Sequence, residues 1–174
     1  IIHKMKKEPL VSIIMNCYNG EKYLEESLKS VINQSYQNWE LIFWDNLSSD
    51  NSKKIINNFN EKRFKYFLSD KHSILYHARN QAIKKANGDF IAFLDTDDVW
   101  LKDKLFKQIK LFSDEKIGLV YSNYWRYNKK SFFKKKRLVS LKQLPSGFIT
   151  DNLLKEYNVG MLTVVLRKKF LIDK

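Results

Sequence analysis

The sequence of 174 residues is poor in the residues that mark several protein classes, with one cysteine, two prolines and five glycines. Cys17 alone forms no internal disulfide and has no CxxC partner for zinc, which excludes a disulfide-stapled scaffold and favours a reducing compartment. Scarce glycine and proline exclude collagenous, linker-like and propeller architectures. No apolar run approaches the roughly 18 residues that span a bilayer, and no signal peptide is recognisable. We therefore expect a cytoplasmic protein.

Basic residues are in large excess, with 32 Lys and Arg against 19 Asp and Glu, a formal net charge of +13. Such a charge attracts nucleic acid, anionic lipid or phosphate-bearing small molecules, and by itself does not choose among them. With 44% hydrophobic and 14% aromatic residues, the chain can bury a core. The length predicts a single domain over residues 1–174.

Short apolar runs alternate with amphipathic stretches along the chain. The predicted strands are Leu10–Met15, Glu40–Trp44, Phe64–Leu68, Phe90–Leu94 and Gly118–Tyr124. The predicted helices are Glu21–Asn33, Ser52–Asn60 with Asp50 or Ser49 as cap, Leu75–Ala86 ending at Gly88, Lys102–Phe112 and Asp151–Tyr157. This alternation predicts an α/β fold with a mostly parallel central sheet flanked by helices, and ligands at the carboxyl edge of the strands.

Two acidic turns, Asp45–Asp50 and Asp95–Asp98, follow predicted strands at that edge. Asp95, Asp97 and Asp98 repel one another unless a cation lies among them, and Mg²⁺ or Mn²⁺ held by carboxylates and phosphate oxygens is typical of nucleotide sites. The alternative is a solvated acidic turn that caps the following helix.

Three separated blocks resemble the family-2 glycosyltransferases, which have the nucleotide-sugar-binding GT-A fold. The blocks are Val11–Leu24, Gln34–Asn51, and a central segment with Ala78, Arg79, Asn80, Gly88, Asp89, Leu94–Asp98 and Trp100. The resemblance is close over Pro9–Leu111 and looser beyond. It implies a glycosyltransferase that uses a nucleotide-sugar, a UDP-sugar above all, with Mn²⁺ or Mg²⁺ as cofactor.

The resemblance also assigns roles to single residues. It puts Tyr18 and Asn19 in the wall of the nucleotide pocket, Asp45 on the base, Arg79 beside the nucleotide, Asp95 near the ribose and sugar, and Asp97 on the metal, with Asp95 and Asp98 as further ligands. Asp45 can accept from a pyrimidine N–H, and a cation on Asp97 offsets the charge of the leaving diphosphate. Structural alternatives remain: an ion pair of Arg79 with Asp45 or Asp89, and simple packing of Tyr18.

Four residues depart from the family pattern: Asn16 replaces a frequent Pro, Asn46 an Asp, Leu47 a Gly and Ala82 a Gly. Leu47 is the most consequential, because a branched residue disfavours positive φ and the turn after the second strand is therefore expected to differ in shape.

The resemblance further implies direct displacement with inversion at the anomeric carbon, with a carboxylate as base for the acceptor hydroxyl. That base belongs to a segment after the strand that Met161–Leu166 resembles, so we expect it beyond Lys174. Asp151, Glu156 and Asp173 have no motif around them and are expected to be surface carboxylates. The natural protein is therefore expected to be longer, with a glycan or lipid-linked acceptor in bacterial surface polysaccharide or oligosaccharide synthesis.

A basic run, Lys129–Arg137, contains Phe132 and Phe133. It is typical of a solvated hairpin or loop, and the alternatives are peripheral contact with an anionic membrane at the inner face of the cell membrane and, less favoured, nucleic-acid binding. We therefore expect no nucleic-acid partner.

The remaining reactive residues carry weaker hypotheses. His3, His72 and His77 are expected to be supporting or solvated rather than metal ligands, and Cys17 to be packed. A different class, a basic non-catalytic module that binds anionic lipid or nucleic acid, stays an alternative. A nucleotidyltransferase is disfavoured because Cys17–Glu21 lacks a glycine-rich phosphate loop.

Overall fold

The computed structural model of the chain describes residues 8–127, 136–155, 157 and 159–171. The strands are β1 (Val11–Cys17), β2 (Trp39–Asp45), β3 (Phe64–Leu68), β4 (Phe90–Phe93), β5 (Leu119–Val120), β6 (Trp125–Tyr127), β7 (Lys136–Leu138) and β8 (Val165–Arg167). The helices are α1 (Glu21–Ile32), α2 (Ser52–Asn57), α3 (Leu75–Lys84), α4 (Lys104–Lys110) and α5 (Thr150–Lys155), with short 3₁₀ turns at Leu111–Ser113, Met161–Thr163 and Lys168–Phe170.

Six strands form one sheet in the order β3-β2-β1-β4-β8-β5. The pairs β1·β2, β1·β4 and β2·β3 are parallel, while β8 runs antiparallel to both of its neighbours. The prediction of an α/β fold with a mostly parallel sheet is therefore confirmed. Because β1, β2 and β4 are adjacent and parallel, the turns that follow Cys17, Asp45 and Phe93 share one edge.

The sheet is buried on both faces by the alternation of its side chains. One face packs with α1 and α4 and includes Ile13, Leu24, Leu41 and Leu105. The other packs with α3 and includes Ile14, Ile42, Ala82, Ile91 and Phe93. The short apolar runs of the sequence thus fill two core layers, as continuous hydrophobic strands of a parallel sheet do.

Several predicted boundaries were wrong at their ends. Helix α2 ends at Asn57 and not Asn60, α4 starts at Lys104 and gives way to a 3₁₀ turn after Lys110, and β5 covers only two residues of the predicted Gly118–Tyr124. Residues 121–124 instead leave the sheet toward the separate β6–β7 hairpin. Periodicity persists through such turns although the backbone hydrogen bonding has already changed.

Gly88 does not end α3, which closes at Lys85. Its backbone N–H instead donates to the hydroxyl of Ser12 at 2.8 Å. A Cβ on Gly88 would lie 2.6 Å from the Ser12 nitrogen and 2.7 Å from the Leu10 oxygen. Glycine is therefore required by the close approach of two backbones and not by a helix cap.

The buried carboxylate of Glu40, a residue of β2, is hydrogen-bonded to three other segments of the chain. It is 4% exposed and accepts hydrogen bonds from the Ser12 hydroxyl, the Lys65 ammonium and the Asn87 backbone N–H, the last at 2.6 Å. Burial opposes ionisation of Glu40, but these donors outweigh it and lower its pKa. The start of β1, β3 and the loop before β4 are held in one place by this carboxylate.

Only part of the predicted basic run can be placed. Lys136 and Arg137 lie in β7, and residues 129–135 of Lys129–Arg137 fall outside the described residues, as do His3, Glu156 and Asp173. Within the described ranges, no helix is long and apolar enough to cross a bilayer.

We expect Glu40→Ala to lower the free energy of unfolding by about 3 kcal/mol, because it leaves a cation and buried donors without their acceptor. Equilibrium urea denaturation measures the change. Since the folded-state pKa of Glu40 lies below its unfolded value, this stabilisation is present above the unfolded pKa and fades as pH falls through the folded pKa. The difference in the free energy of unfolding between wild type and Glu40→Ala should therefore become smaller at acid pH.

A matched control removes the exposed Glu25–Lys29 pair of α1. Glu25→Ala should cost no more than about 0.5 kcal/mol, since exposed i,i+4 pairs contribute little. Equal losses in the two variants would contradict the role assigned to Glu40.

Candidate functional site

The turns that follow β1 and β2 are laced together by hydrogen bonds. The Asn46 backbone N–H donates to the Cys17 carbonyl at 2.8 Å, and the Gly20 N–H donates to the Ser52 hydroxyl at 3.0 Å. Asn19 has φ of 54°, and its side-chain oxygen accepts from the Ser49 N–H at 2.8 Å. Asn19, predicted in the pocket wall, thus fastens the two turns to each other.

A reciprocal pair of carboxylates joins the starts of α1 and α2. Asp50 accepts from the backbone N–H groups of Glu21 and Ser52, both at 2.9 Å. Glu21 in turn accepts from the backbone and side-chain amides of Asn51. Burial opposes ionisation of Asp50, yet its donors lower its pKa overall. The N-cap of α2 is Asn51, without a side-chain cap bond, so neither Asp50 nor Ser49 is the N-cap that was predicted.

Leu47 adopts the left-handed conformation, with φ of 66°. The branched side chain therefore does not keep Leu47 out of the positive-φ region, and the residue accepts the strain. The surrounding hydrogen bonds supply the reason. The Ser48 N–H donates to the Asp45 carboxylate at 2.7 Å, and the Asn46 side chain donates to the Ser73 carbonyl. Leu47 lies between these two hydrogen-bonded residues, so its backbone is held in place. A turn shape that differs from that of the family stays a prediction.

A cavity of about 220 Å³ opens at this edge between the ends of β1 and β2 and the start of α3. Its wall includes Asn16, Tyr18, Asn46, His72 and Ala78. The Tyr18 side chain is 56% exposed and its ring lies 4.3 Å from that of His72, centroid to centroid. Both amide atoms of Asn16 are buried without a hydrogen-bond partner among the described residues.

A larger groove of about 580 Å³ lies between α1 and residues 99–102. It is open, its rim carries the exposed Val99 and Leu101, and none of the predicted site residues lines it. We therefore assign the candidate site to the smaller cavity at the strand ends.

Asn46 explains one departure from the family pattern. Its side-chain nitrogen donates to the Ser73 carbonyl at 2.7 Å, and its oxygen accepts from the Ser73 N–H at 3.2 Å. The His72 ring nitrogen lies 3.1 Å from the Asn46 carbonyl oxygen. Because an aspartate could only accept, it would face the Ser73 carbonyl without a proton to share. The amide thus fixes the loop that carries His72 over the cavity.

Asp45 lies beneath the turn, only 1% exposed. Its two oxygens accept from the Ser48 N–H and from the Tyr66 hydroxyl, each at 2.7 Å. Burial and the hydrogen bond to Asp45 raise the pKa of Tyr66, so the phenol remains a donor. Contact of Asp45 with a base stays a prediction, and the contacts present hold the turn.

The acidic turn after β4 is held against α1 and the first turn. The Ser27 hydroxyl lies 2.8 Å from the Thr96 carbonyl oxygen and also reaches that of Asp98. A Cβ on Gly20 would lie 2.9 Å from the Thr96 side-chain oxygen, so only glycine leaves room for this contact. The acidic turn and the cavity wall are therefore parts of one edge.

The carboxylates of this turn differ in their freedom. Burial, with the charges of Asp97 and Asp95, raises the pKa of Asp98 to about 6. Asp97 is exposed and makes no hydrogen bond or ion pair with another described residue. Among the described residues, no three His, Cys, Asp or Glu side chains converge as a closed metal site. An open set of one or two carboxylates fits Mg²⁺ or Mn²⁺ when phosphate oxygens complete the shell.

Arg79 pairs with Asp95, with an N–O distance of 3.0 Å. The structural alternative of a pair with Asp45 or Asp89 was therefore wrong in its partner. The Arg79 guanidinium also lies 5.6 Å from the centre of the Phe93 ring. Arg79 thus brings a positive charge from α3 to the acidic turn, next to Ala78 of the cavity wall.

Sequence reasoning missed the supporting residues. Ser27 and Tyr66 occupy ordinary positions in a helix and a strand, and no pattern distinguishes them. The exposed His77 shares a hydrogen bond with the half-buried Gln81 one helical turn later, as a solvated residue does. Cys17 is buried as expected, and burial raises the pKa of its thiol.

Comparisons with known proteins agree with this geometry. The family model described as Glycosyl transferase family 2 matches residues 12–170. The UDP-Glc:alpha-D-GlcNAc-diphosphoundecaprenol beta-1,3-glucosyltransferase WfgD of Escherichia coli is 40% identical over 162 residues, which are 93% of this chain and 62% of that protein. The putative teichuronic acid biosynthesis glycosyltransferase TuaG of Bacillus subtilis is 31% identical over 93% of this chain and 64% of its own length. The chain spans less than two thirds of each of these relatives.

Among solved structures, Staphylococcus aureus TarS 1–349 in complex with UDP-GlcNAc matches with a TM-score of 0.72. The match has 21% sequence identity and covers 92% of this chain and 46% of the TarS chain. At that identity the likeness shows the fold, and the predicted GT-A fold is confirmed.

We expect Leu47→Gly to be more stable than Leu47→Ala by about 1 kcal/mol. Both variants lose the same branched side chain, but only glycine adopts the left-handed conformation without a Cβ penalty. Thermal unfolding of the two proteins measures the difference. Equal melting temperatures would mean that the backbone at position 47 relaxes out of the left-handed region.

Proposed function

Because the chain belongs to glycosyl transferase family 2, we propose that it binds a UDP-sugar at the edge formed by β1, β2 and β4. The sugar passes to a glycan or lipid-linked acceptor in the synthesis of a bacterial surface polysaccharide or oligosaccharide. We further propose that the transfer inverts the anomeric carbon and takes place in the cytoplasm, at the inner face of the membrane.

One observation carries the proposal: the cavity wall and the acidic turn lie at one edge of the sheet, on either side of Gly20. Cys17 lines the cavity, and a Cβ on Gly20 would lie 3.0 Å from the Cys17 sulfur and 2.9 Å from the Thr96 side-chain oxygen of the acidic turn. A nucleoside diphosphate sugar has an aromatic base at one end and a charged diphosphate near the other. The Tyr18 and His72 rings offer a surface for the base, and Asp97 is free to approach the diphosphate through a cation. The two halves of the donor therefore have matching partners within one site.

Asp97 is the proposed ligand of Mn²⁺ or Mg²⁺, with Asp98 and Asp95 as further ligands. The bound cation would offset the charge of the departing nucleoside diphosphate as a Lewis acid. Crowding of Asp98 by its neighbours supports this role, because carboxylates that repel one another gain from a cation between them. Arg79 neutralises part of the charge on Asp95 and leaves Asp97 as the most available oxygen donor.

The relatives support the substrate class. WfgD is by name a UDP-Glc-dependent glucosyltransferase with a diphosphoundecaprenol-linked acceptor, and TarS has been solved with UDP-GlcNAc. The mannosyltransferase PcManGT of Pyrobaculum calidifontis, with a TM-score of 0.69, has been solved with GDP-Man and Mn²⁺. Uridine is proposed here on the similarity to WfgD, and GDP serves as the comparison nucleotide in the test.

We expect UDP to bind the chain in the micromolar range only when Mn²⁺ or Mg²⁺ is present, and Asp97→Asn to weaken binding at least tenfold. An amide carries no charge for the cation, so the variant loses the bridge to the diphosphate. Calorimetric titration of UDP and GDP, with and without Mn²⁺, measures the effect.

Asp103→Asn is the matched control, since Asp103 is exposed and its side chain makes no cap bond to α4. It should bind as wild type does. Metal-independent binding, or equal affinity in the Asp97 variant, would contradict the metal role. Failure of the folded wild type to bind either nucleotide would contradict the donor site itself.

We expect a full-length protein that contains this domain to form a β-glycoside from an α-linked UDP-sugar, since a direct displacement inverts the anomeric carbon. Proton NMR of the product at early reaction times reads the anomeric coupling. An α-linked product would rule out a single displacement.

A further inference from the structure

The β6–β7 hairpin lies outside the main sheet and is exposed on both of its faces. Its register pairs Trp125 with Leu138, Arg126 with Arg137, and Tyr127 with Lys136. Directly opposed residues share a face and successive residues alternate, so Arg126 and Arg137 occupy one face and the other pairs occupy the second.

The Arg126–Arg137 pair places two like charges directly opposite each other. Opposed like charges destabilise a strand pair, and in the described residues neither arginine has a carboxylate partner. The sequence supplies none nearby, because residues 119–150 contain no Asp or Glu. A neighbouring set of anions would relieve this repulsion.

The second face is amphipathic. Trp125 is 57% exposed and Tyr127 is 43% exposed, beside Leu138 and the ammonium of Lys136. Trp and Tyr favour the boundary between water and lipid, where the ring is buried and its polar atom stays hydrated.

Further apolar side chains follow the hairpin in the chain. Leu141 is 93% exposed and Phe148 is fully exposed. Residues 140–145 are hydrogen-bonded to the residues that precede β6. The Asn123 side chain donates to the Ser140 carbonyl and accepts from the Ser140 N–H, and the Tyr121 hydroxyl donates to the Pro145 carbonyl. Aliphatic side chains gain nothing from stacking on bases but do gain from contact with acyl chains.

We propose that strands β6 and β7 together with residues 139–148 form a surface that docks on an anionic lipid bilayer. We assign the surface to lipid because two arginines without a carboxylate partner among the described residues lie near exposed aromatic and aliphatic side chains. A nucleic acid would use only the charges and the rings. A ribbon one layer thick, lying flat in the headgroup region, brings the arginines of one face to phosphates and the rings of the other to the acyl boundary. The docking is separate from the donor site.

The test is co-sedimentation of the chain with vesicles of phosphatidylglycerol and phosphatidylcholine, against vesicles of phosphatidylcholine alone. We expect binding to the anionic vesicles that weakens with salt. The double variant Arg126→Gln/Arg137→Gln should reduce the partition coefficient about 25-fold, since each basic residue near an anionic surface contributes about a factor of five.

The double variant Lys54→Gln/Lys62→Gln is the matched control, because it removes the same charge from exposed positions of α2 and the loop before β3. It should retain most of the binding. Circular dichroism checks the fold of both variants, and UDP titration shows whether the donor site is intact.

Tryptophan emission gives a second readout that charge alone would not move. Trp39 and Trp100 are buried and Trp44 is half-buried, so a blue shift on vesicle binding would report chiefly on Trp125, which is 57% exposed. Trp125→Phe should abolish most of the shift while the protein still sediments.

Three results would each overturn the proposal: no binding by the wild type, equal losses in the two double variants, or binding with unchanged emission. Binding of a single-stranded RNA oligonucleotide that depends on Arg126 and Arg137, without vesicle binding, would assign the surface to nucleic acid instead. If the chain binds UDP but does not bind vesicles, the proposed donor site remains supported and only the proposed membrane-docking surface is contradicted.

Discussion

Parallel pairing of β1 with β2 on one side and β4 on the other is the constraint on which the candidate site depends. It brings the ends of three strands, far apart in sequence, to one edge. The turns after Cys17 and Asp45 then meet close enough to exchange backbone and side-chain hydrogen bonds, and the turn after β4 comes to rest on Gly20. A shift in register would separate the cavity from the acidic turn. Hydrogen bonds of Glu40 and Gly88 with Ser12, at the opposite edge of the sheet, help to hold the strands in that register.

The acidic turn shows how a repulsive arrangement is retained in a folded chain. Burial, together with the charges of Asp97 and Asp95, raises the pKa of Asp98. The backbone of the turn is held by the Ser27 hydroxyl, which bonds backbone carbonyls and not the carboxylates. Arg79 offsets one carboxylate from a different element. The Ser27 contacts use backbone carbonyls and leave the carboxylate oxygens available, as the proposed metal site requires.

The sequence predicted the order of elements from β1 to α4, the mostly parallel sheet and the edge that carries the acidic turns, because hydrophobic runs and turn residues are local signals. It did not predict the β6–β7 pair or the antiparallel direction of β8. It did not predict which residues support the site. Ser27, Tyr66 and Ser73 act through contacts with residues distant in sequence, and nothing in their own neighbourhood distinguishes them. The Gly88 cap was wrong for a related reason, since a glycine at a helix end and one at a close backbone approach look alike. The predicted strand Gly118–Tyr124 was too long, since only Leu119 and Val120 pair with β8.

Three consecutive residues, the last of β2 and the two that follow it, show how hydrogen bonds shape the turn at this edge. Asp45 is buried, and its carboxylate accepts hydrogen bonds from the Ser48 N–H and the Tyr66 hydroxyl, so it holds the backbone of the turn in place. Asn46, where an acid is usual, gains a donor that reaches Ser73 and anchors the His72 loop. Leu47, where glycine is usual, adopts positive φ because the bonds on both of its sides leave no other path. Hydrogen bonds of the neighbours, rather than the intrinsic preference of each residue, therefore decide the shape of this edge, and substitutions that preserve those bonds are tolerated there.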